Sequence, residues 1–205
     1  MKPYYEHAGI TIYHGDCREI APCLEPCDLM LTDPPYGLNL SNDLWLYQRG
    51  RIEKSDWDRE PFKDLTCLLP NARASIVWGG NFYKLPLSRG WLSWFKPDAV
   101  PTMSHFELAW TSFNMVTRQF RYCIAETNGE RVGHPTQKPL ALMHWCLTFS
   151  PDAQTVLDPF AGSGTTLVAA KNQGISAIGI EIEERYCEIA AKRLSQEVFN
   201  FEVSA

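Results

Sequence analysis

"TVLDPFAGSGTTLVAAKNQGISAIGIEIEERYCEIAAKRLSQ", residues 155–196, switches twice between two structural periods. "TVLDPF" (155–160) is a short apolar run and reads as a strand. "GTTLVAAKNQG" (164–174) has helical spacing and closes on Gly174, the residue type that best fits the left-handed turn after a helix. "SAIGIEI" (176–182) is a strand again. "EERYCEIAAKRLSQ" (183–196) is an amphipathic helix with acids in its first turn, where they complement the helix dipole. This β-α-β-α succession implies an α/β fold with a mainly parallel sheet and helices on both faces. Ligands of such sheets bind outside the carboxyl ends of the strands.

Upstream, "GITIYHGD" (9–16) reads as a short strand ending at Asp16. "CDLMLT" (27–32) is an apolar strand without a polar face, as in a sheet covered on both sides. Residues 38–60 are polar and unpatterned, which predicts a long loop. "PFKDLTCLLP" (61–70) predicts a helix with Pro61 at its start. "ASIVWGGN" (74–81) predicts a strand running into a Gly-Gly turn. "WLSWFKP" (91–97), "HFELAWTSF" (105–113) and "RQFRYCIAE" (118–126) are rich in aromatic and β-branched residues and predict strands with hairpins. "PLALMHWCLTFS" (139–150) predicts a helix after Pro139.

The 205 residues suit one domain, with ordinary hydrophobic (45%) and charged (21%) fractions. No apolar run reaches the ~20 residues of a membrane span, and the N-terminus lacks a signal-peptide core, so a cytoplasmic protein is expected. Seven scattered cysteines, with only Cys23 and Cys27 close together, read as buried free thiols rather than a zinc site. A net charge of −5 argues weakly against nucleic acid. Yet "YQRGRIEK" (47–54), "TRQFRY" (117–122) and Arg131 to Lys138 are local basic stretches.

Two stretches carry chemistry. In "LDPFAGSGTT" (157–166), Gly162 and Gly164 permit close backbone approach to a ligand, and Ser163, Thr165 and Thr166 add hydroxyls at a helix start. The lysine of a nucleoside-triphosphate loop is absent, so phosphate cleavage is not expected. Glu181 ends the following strand, where an acid suits both hydroxyls of a ribose. A helix-capping acid is the plainer reading of Glu181, and the glycine-rich turn beside it favours ribose. The other stretch is "LTDPPYG" (31–37). Two consecutive prolines remove two backbone donors, fix φ and push their predecessors out of helix. The result is a stiff segment at a strand end, presenting a carboxylate, free carbonyls and an aromatic ring. It is either a plain loop or a grip for a flat polar ring.

"TDPPYG", "HPTQKP" (134–139) and "LDPFAGSGTT" together resemble the S-adenosylmethionine-dependent DNA amino-methyltransferases, which modify adenine N6 or cytosine N4. The motif order, catalytic before cofactor, is similar to the β group of that family. The resemblance runs from "HGDC" (14–17) to "GIEIEERYCEIAAKRL" (179–194). It implies a Rossmann-like, seven-stranded sheet with permuted motif order and no metal. It also implies roles. Asp33, Pro34, Pro35 and Tyr36 match the catalytic tetrapeptide. Asp16 and Cys17 match the segment near the cofactor's adenine, and Glu181 the ribose acid. Asp158, Phe160, Ala161, Gly162, Ser163, Gly164, Thr165 and Thr166, with Asp33, Thr136 and Lys138, match the methionine end.

The chemistry expected of this set is specific. An exocyclic amino group is a poor nucleophile because its lone pair is delocalised into the ring. Asp33 and the Pro34 carbonyl can accept its two N–H groups and free that lone pair, so positioning and preorganised acceptors are the levers. Tyr36 would stack on the base, and a base inside a duplex must flip out to reach it. An Asp at position 33, where cytosine enzymes of the family often carry Ser, tips the expectation to adenine. Cytosine N4 transfer and a non-catalytic binding subunit remain open. RNA or protein amide methylation is a further reading, though those proteins more often show Asn at this place and the opposite motif order. Cytosine C5 chemistry needs Pro-Cys-Gln, and Pro22-Cys23 and Pro26-Cys27 continue into Leu24 and Asp28 instead.

The family usually carries a larger recognition insert before "HPTQKP". Here residues 38–60 and 97–133 are the expected recognition loops within one catalytic domain over 1–205. Arg49, Arg51, Lys54, Arg118 and Arg121 are the expected contacts to duplex DNA. A homodimer and a partner restriction endonuclease are open partners, and no membrane is expected. Asn81 and "SDWD" (55–58) are weaker site candidates. Trp91, Trp94 and Trp110 read as core, and His134 as structural.

Overall fold

The computed structural model describes residues 1–37, 61–132 and 136–196. Arg49, Arg51, Lys54, "SDWD" and His134 lie outside the described residues, as does the expected 38–60 loop. The central strands form around short apolar runs: β3 (Cys27–Thr32), β4 (Ala72–Trp78), β8 (Thr155–Asp158) and β9 (Ser176–Glu181). Around them lie β1 (Tyr5–His7), β2 (Ile10–His14), β5 (Trp91–Phe95), β6 (Phe106–Thr111) and β7 (Arg118–Arg121).

These strands make one sheet in the order β1-β2-β9-β8-β3-β4-β6-β5-β7. Strands β2, β9, β8, β3 and β4 run parallel, and β6 runs antiparallel between β4 and β5. The seven strands from β2 to β5 are the expected sheet. A short strand extends it at each edge: β1 as an antiparallel hairpin on β2, and β7 parallel to β5. The amino ends of β3 and β8 are tied by Asp28, whose Oδ2 accepts from the Thr155 amide at 3.1 Å and the Thr155 hydroxyl at 2.9 Å.

Strand periodicity splits the core into two layers. Leu29 and Leu31 face a layer shared with α3 (Leu140–Leu147), α4 (Thr165–Asn172) and α5 (Glu184–Ser195). Met30 faces the other layer, with Val77, Leu157 and Ile180. There the described cover is α1 (Cys17–Ile20) and short 3₁₀ turns, including Leu65 and Leu68.

Three expectations are corrected. The helix predicted over 61–70 is two 3₁₀ turns, Leu65–Cys67 and Leu69–Asn71. Pro70 withholds a donor in the second turn, and Asp64 caps the first by accepting from the Thr66 amide at 3.0 Å. The strand predicted over 118–126 ends at Arg121 and gives way to α2 (Ile124–Gly129). The Asp98 carboxylate accepts from the amides of Ile124 (2.7 Å) and Ala125 (2.9 Å), so the helix start is held by a residue distant in sequence. Of the seven free thiols, Cys23 and Cys67 are exposed and Cys123 half-buried, rather than all buried. Trp94 and Trp110 are core residues, and Trp91 is half-buried.

Because β3, β4, β8 and β9 are parallel, their last residues share one edge of the sheet. That edge carries Asp33, Gly79, Asp158 and Glu181 directly at or after the strand ends.

Candidate active site

A cavity of about 520 Å³ opens along this edge. Its lining includes Asp16, Cys17, Asp33 to Tyr36, Thr136, Lys138, Asp158, Phe160 to Ser163, Thr165, Thr166 and Glu181. These are residues named from sequence, brought together from five separate stretches. Gly164 is the exception. It does not line the cavity, and at φ 79° a Cβ there would stand 2.8 Å from Ala190 Cβ. Its missing side chain lets α5 close on the loop, and of the two glycines Gly162 is the one that lines the cavity.

One end of the cavity is built on acids. Glu181, 9% exposed, accepts from the Gly162 amide at 2.7 Å and the Glu183 amide at 2.8 Å. Burial still pushes its carboxyl up to about 7. Asp158 accepts from the Thr32 hydroxyl at 2.7 Å and the Phe160 amide at 3.1 Å, and burial raises it to about 6. Asp16 caps α1 and pairs with Arg18, whose hydrogen bonds hold the carboxyl below its usual range. The buried Cys17 thiol beside it is pushed to about 12, which leaves it un-ionised at neutral pH. The glycine-rich loop is fixed from behind: Arg193 Nη1 donates to the Ser163 carbonyl at 2.6 Å and to Thr165 Oγ1 at 3.2 Å.

The other end is the tetrapeptide. The Tyr36 hydroxyl donates to Asp33 Oδ1, and Lys138 Nζ donates to Asp33 Oδ2 at 2.5 Å. The Tyr83 hydroxyl donates to the Pro35 carbonyl, so the proline pair is pinned on both sides. The Tyr36 ring stacks on Phe82, with centroids 5.0 Å apart and planes at 22°. Within "WGGN", the exposed Asn81 is not part of the cavity lining, and Gly79 matters instead by lying under Tyr36.

Sequence reasoning missed Glu107. Lys138, only 6% exposed, also forms an ion pair with Glu107 Oε2 at 3.1 Å, and Lys96 pairs with the other Glu107 oxygen. Burial pushes the Glu107 carboxyl up, and the Lys138 and Lys96 ammonium groups outweigh it, leaving it below its ordinary value. Burial pulls Lys138 down, and Asp33 and Glu107 outweigh it. Burial raises Asp33, with Lys138 opposing. A signal was present: Glu107 alternates with Ala109 in "FELAWT" and so points into the core, where an acid needs a cation. Phe82, Tyr83, Gln137 and Arg193 were likewise unread. Gln137 Oε1 accepts from the Ser163 hydroxyl at 3.3 Å and joins "HPTQKP" to the glycine-rich loop.

Arg118 and Arg121 stand on the outermost strand, exposed and away from the cavity, with Arg121 5.9 Å from the Phe95 ring. Among the described residues no group of His, Cys, Asp or Glu could hold a metal, and no helix is long and apolar enough to cross a membrane.

Comparison with known proteins gives consistent results. A family model described as DNA methylase matches residues 77–192. Type II methyltransferase M2.LlaDCHI of Lactococcus lactis subsp. cremoris is 28% identical over 251 aligned residues, covering 95% of this chain and 93% of the relative. That alignment is longer than the 205-residue chain, so the relative carries residues this one lacks. The crystal structure of the M1.HpyAVI-SAM complex superposes with a TM-score of 0.57 at 24% identity, covering 91% of this chain and all of the other. The cytosine-N4-specific PvuII DNA methyltransferase gives a TM-score of 0.61 at 14% identity, covering 96% and 90%. At these identities the two structures speak for a shared Rossmann-like fold.

Proposed function

The chain belongs to the DNA methylase family, and we propose that it transfers a methyl group from S-adenosylmethionine to the N6 amino group of a flipped-out adenine in duplex DNA. The observation that carries this reading is one cavity holding two kinds of end. Glu181 and the Gly162 loop form an acid-and-amide cradle, and Asp33 stands with the rigid Pro34-Pro35 pair at the other end. The volume suits a nucleoside-sized ligand.

The residues present fit the cofactor. The Glu181 carboxylate can accept from ribose hydroxyls, Asp16 and Cys17 border the adenine end, and Phe160 offers an apolar wall that Phe62 buttresses edge-on at 5.1 Å. The Ser163, Thr165 and Thr166 hydroxyls, with Thr136, Asp158 and Ala161, surround the methionine end. When bound, the cofactor supplies an electrophilic sulfonium methyl. The chain's own work is at the amine: Asp33 and the Pro34 carbonyl accept its N–H groups, and Tyr36 holds the base plane. The nitrogen that takes the methyl would shed one proton along its hydrogen bond to the Asp33 carboxylate.

Residues 38–60 and the parts of 97–133 on either side of β6, which itself belongs to the central sheet, are assigned to target recognition within a single catalytic domain over 1–205. Arg49, Arg51, Lys54, Arg118 and Arg121 are assigned to phosphates or base edges. A homodimer would supply additional recognition surface. A bacterial cytoplasm and a partner restriction endonuclease complete the reading.

The test is methyl transfer from labelled S-adenosylmethionine to mixed-sequence duplex DNA, with the product digested to nucleosides and resolved by mass. N6-methyladenine from the wild type and none from Asp33→Ala is the expected result. N4-methylcytosine would keep the site chemistry and replace the base. No DNA product from a protein that binds the cofactor would overturn the reading.

A further inference from the structure

Lys96, Glu107, Lys138 and Asp33 form a row of alternating charge that ends at the reacting position. Glu107 comes from β6, Lys96 follows β5, Lys138 precedes α3 and Asp33 follows β3, so four parts of the fold converge on it. A buried ammonium bonded 2.5 Å from Asp33 Oδ2 competes for the electron density that the target amine needs. Lys138 has a second carboxylate within reach, at 3.1 Å. Removing an ammonium from its only buried counter-ion is costly. Moving it between two counter-ions already in contact with it is not.

We propose that Glu107 is a positioning residue for methyl transfer: it shares the Lys138 ammonium with Asp33 and takes that charge over when the target amino group claims the Asp33 carboxylate. Lys138 then acts as a clamp on Asp33 in the free enzyme and releases it on substrate arrival. Lys96 balances Glu107 from the outer side. Glu107 is not part of the cavity lining and works through Lys138, which is. This inference rests on the methyl-transfer reading given above.

The ionisable groups facing the row are few. Asp33 meets Tyr36 by hydrogen bond and Asp158 through space, and Tyr36 feels Tyr83. Replacing Glu107 removes the charge that opposes ionisation of Asp33 and leaves Lys138 wholly on Asp33. Glu107→Gln should therefore do two things at once. It should slow the transfer step, and it should move the acid limb of the rate profile to lower pH.

The experiment measures single-turnover methyl transfer to duplex DNA against pH for the wild type, Glu107→Gln and Glu107→Asp, with cofactor affinity by calorimetry. The expected result is at least a tenfold slower step in Glu107→Gln, unchanged cofactor affinity, an acid limb at lower pH and partial recovery in Glu107→Asp. A wild-type rate, or a loss that follows cofactor affinity and melting temperature with the limb in place, overturns the proposal. A carbon-13 carboxyl titration of Asp33 in the free enzyme separates the two readings. If the wild type leaves DNA unmethylated, the substrate reading fails. The Glu107 coupling then stands if Glu107→Gln shifts the Asp33 titration to lower pH and falls if it does not.

Discussion

Gly79 lies directly beneath the ring of Tyr36: a Cβ built on Gly79 would stand 2.0 Å from Tyr36 Cε1. Gly79 also sits at φ 65°, in the left-handed region. Two independent constraints therefore fix glycine at this position, and one of them is the place of the tetrapeptide's ring. Gly79→Ala will cost about 1–3 kcal/mol from the backbone alone, lowering Tm by roughly 2–4 °C for each kcal/mol. It will also tilt Tyr36 and slow transfer roughly 10–100-fold, with cofactor affinity unchanged. Melting curves beside single-turnover rates check this, and an unchanged rate would detach the Tyr36 ring from catalysis.

Cofactor affinity will rise with pH. Glu181 has its carboxyl raised to about 7 by burial, and in the proposed complex ribose hydroxyls would donate to the ionised form. Binding must therefore release a proton below that value. The dissociation constant at pH 6 is expected to be about tenfold above its value at pH 8, since one pKa unit corresponds to a tenfold factor. Calorimetry in buffers of different ionisation enthalpy will count the proton. Glu181→Gln should bind weakly and without the pH slope.

The same acids load the ligand-free fold. The folded chain holds protons on Asp158 up to about pH 6 and on Glu181 up to about 7, above their ordinary values of 3.8 and 4.5. Their contribution to stability is thus complete below those ordinary values and is lost as pH rises through 6 and 7. His144, held below its ordinary 6.5 by burial, works in the opposite sense as pH falls. The diagnostic quantity is therefore a difference. Glu181→Gln should gain melting temperature over the wild type as pH is raised from 5 to 8, and a constant gap would contradict the assignment.

Arg193 is expected to control the cofactor loop without touching its contents. Its guanidinium bonds the Ser163 carbonyl and the Thr165 hydroxyl from the α5 side. Charged hydrogen bonds of this kind contribute about 1.5–3 kcal/mol each. Arg193→Met should weaken cofactor binding by roughly tenfold or more while leaving the methylated base the same. Equal affinity in a titration would show that the loop holds its shape unaided.

The central sheet was legible because its strands form around short apolar runs between turn residues, as in "CDLMLT" and "SAIGIE". The site was legible for a related reason. Its residues cluster at strand ends in short motifs, so proximity in sequence stood in for proximity in space. What escaped was whatever depends on a distant partner. Leu65, Leu68 and Leu69 have helical spacing, yet Pro70 and the Asp64 cap leave only 3₁₀ turns. Helix α2 begins where Asp98 caps it, from a position two strands earlier in the chain. Glu107 carried a readable warning, but its partner Lys138 belongs to another motif and could be assigned only in three dimensions.

Strand β2 pairs with β1 and with β9, Ile10 lying beside Ala177. Likewise β3 gains its β8 neighbour only when residues 155–158 exist, so the strand that carries Asp33 is half-bordered until then. Closing loops of that length costs entropy before any contact returns it, and parallel pairing between remote segments is slow. As the ribosome releases this chain, the half with Asp33 to Tyr36 emerges first and waits with open strand edges for the half with Asp158 and Glu181. Fragments lacking the last fifty or so residues should be aggregation-prone rather than small working domains. The motif order that places catalysis ahead of cofactor thus makes a chain stopped early inert towards DNA.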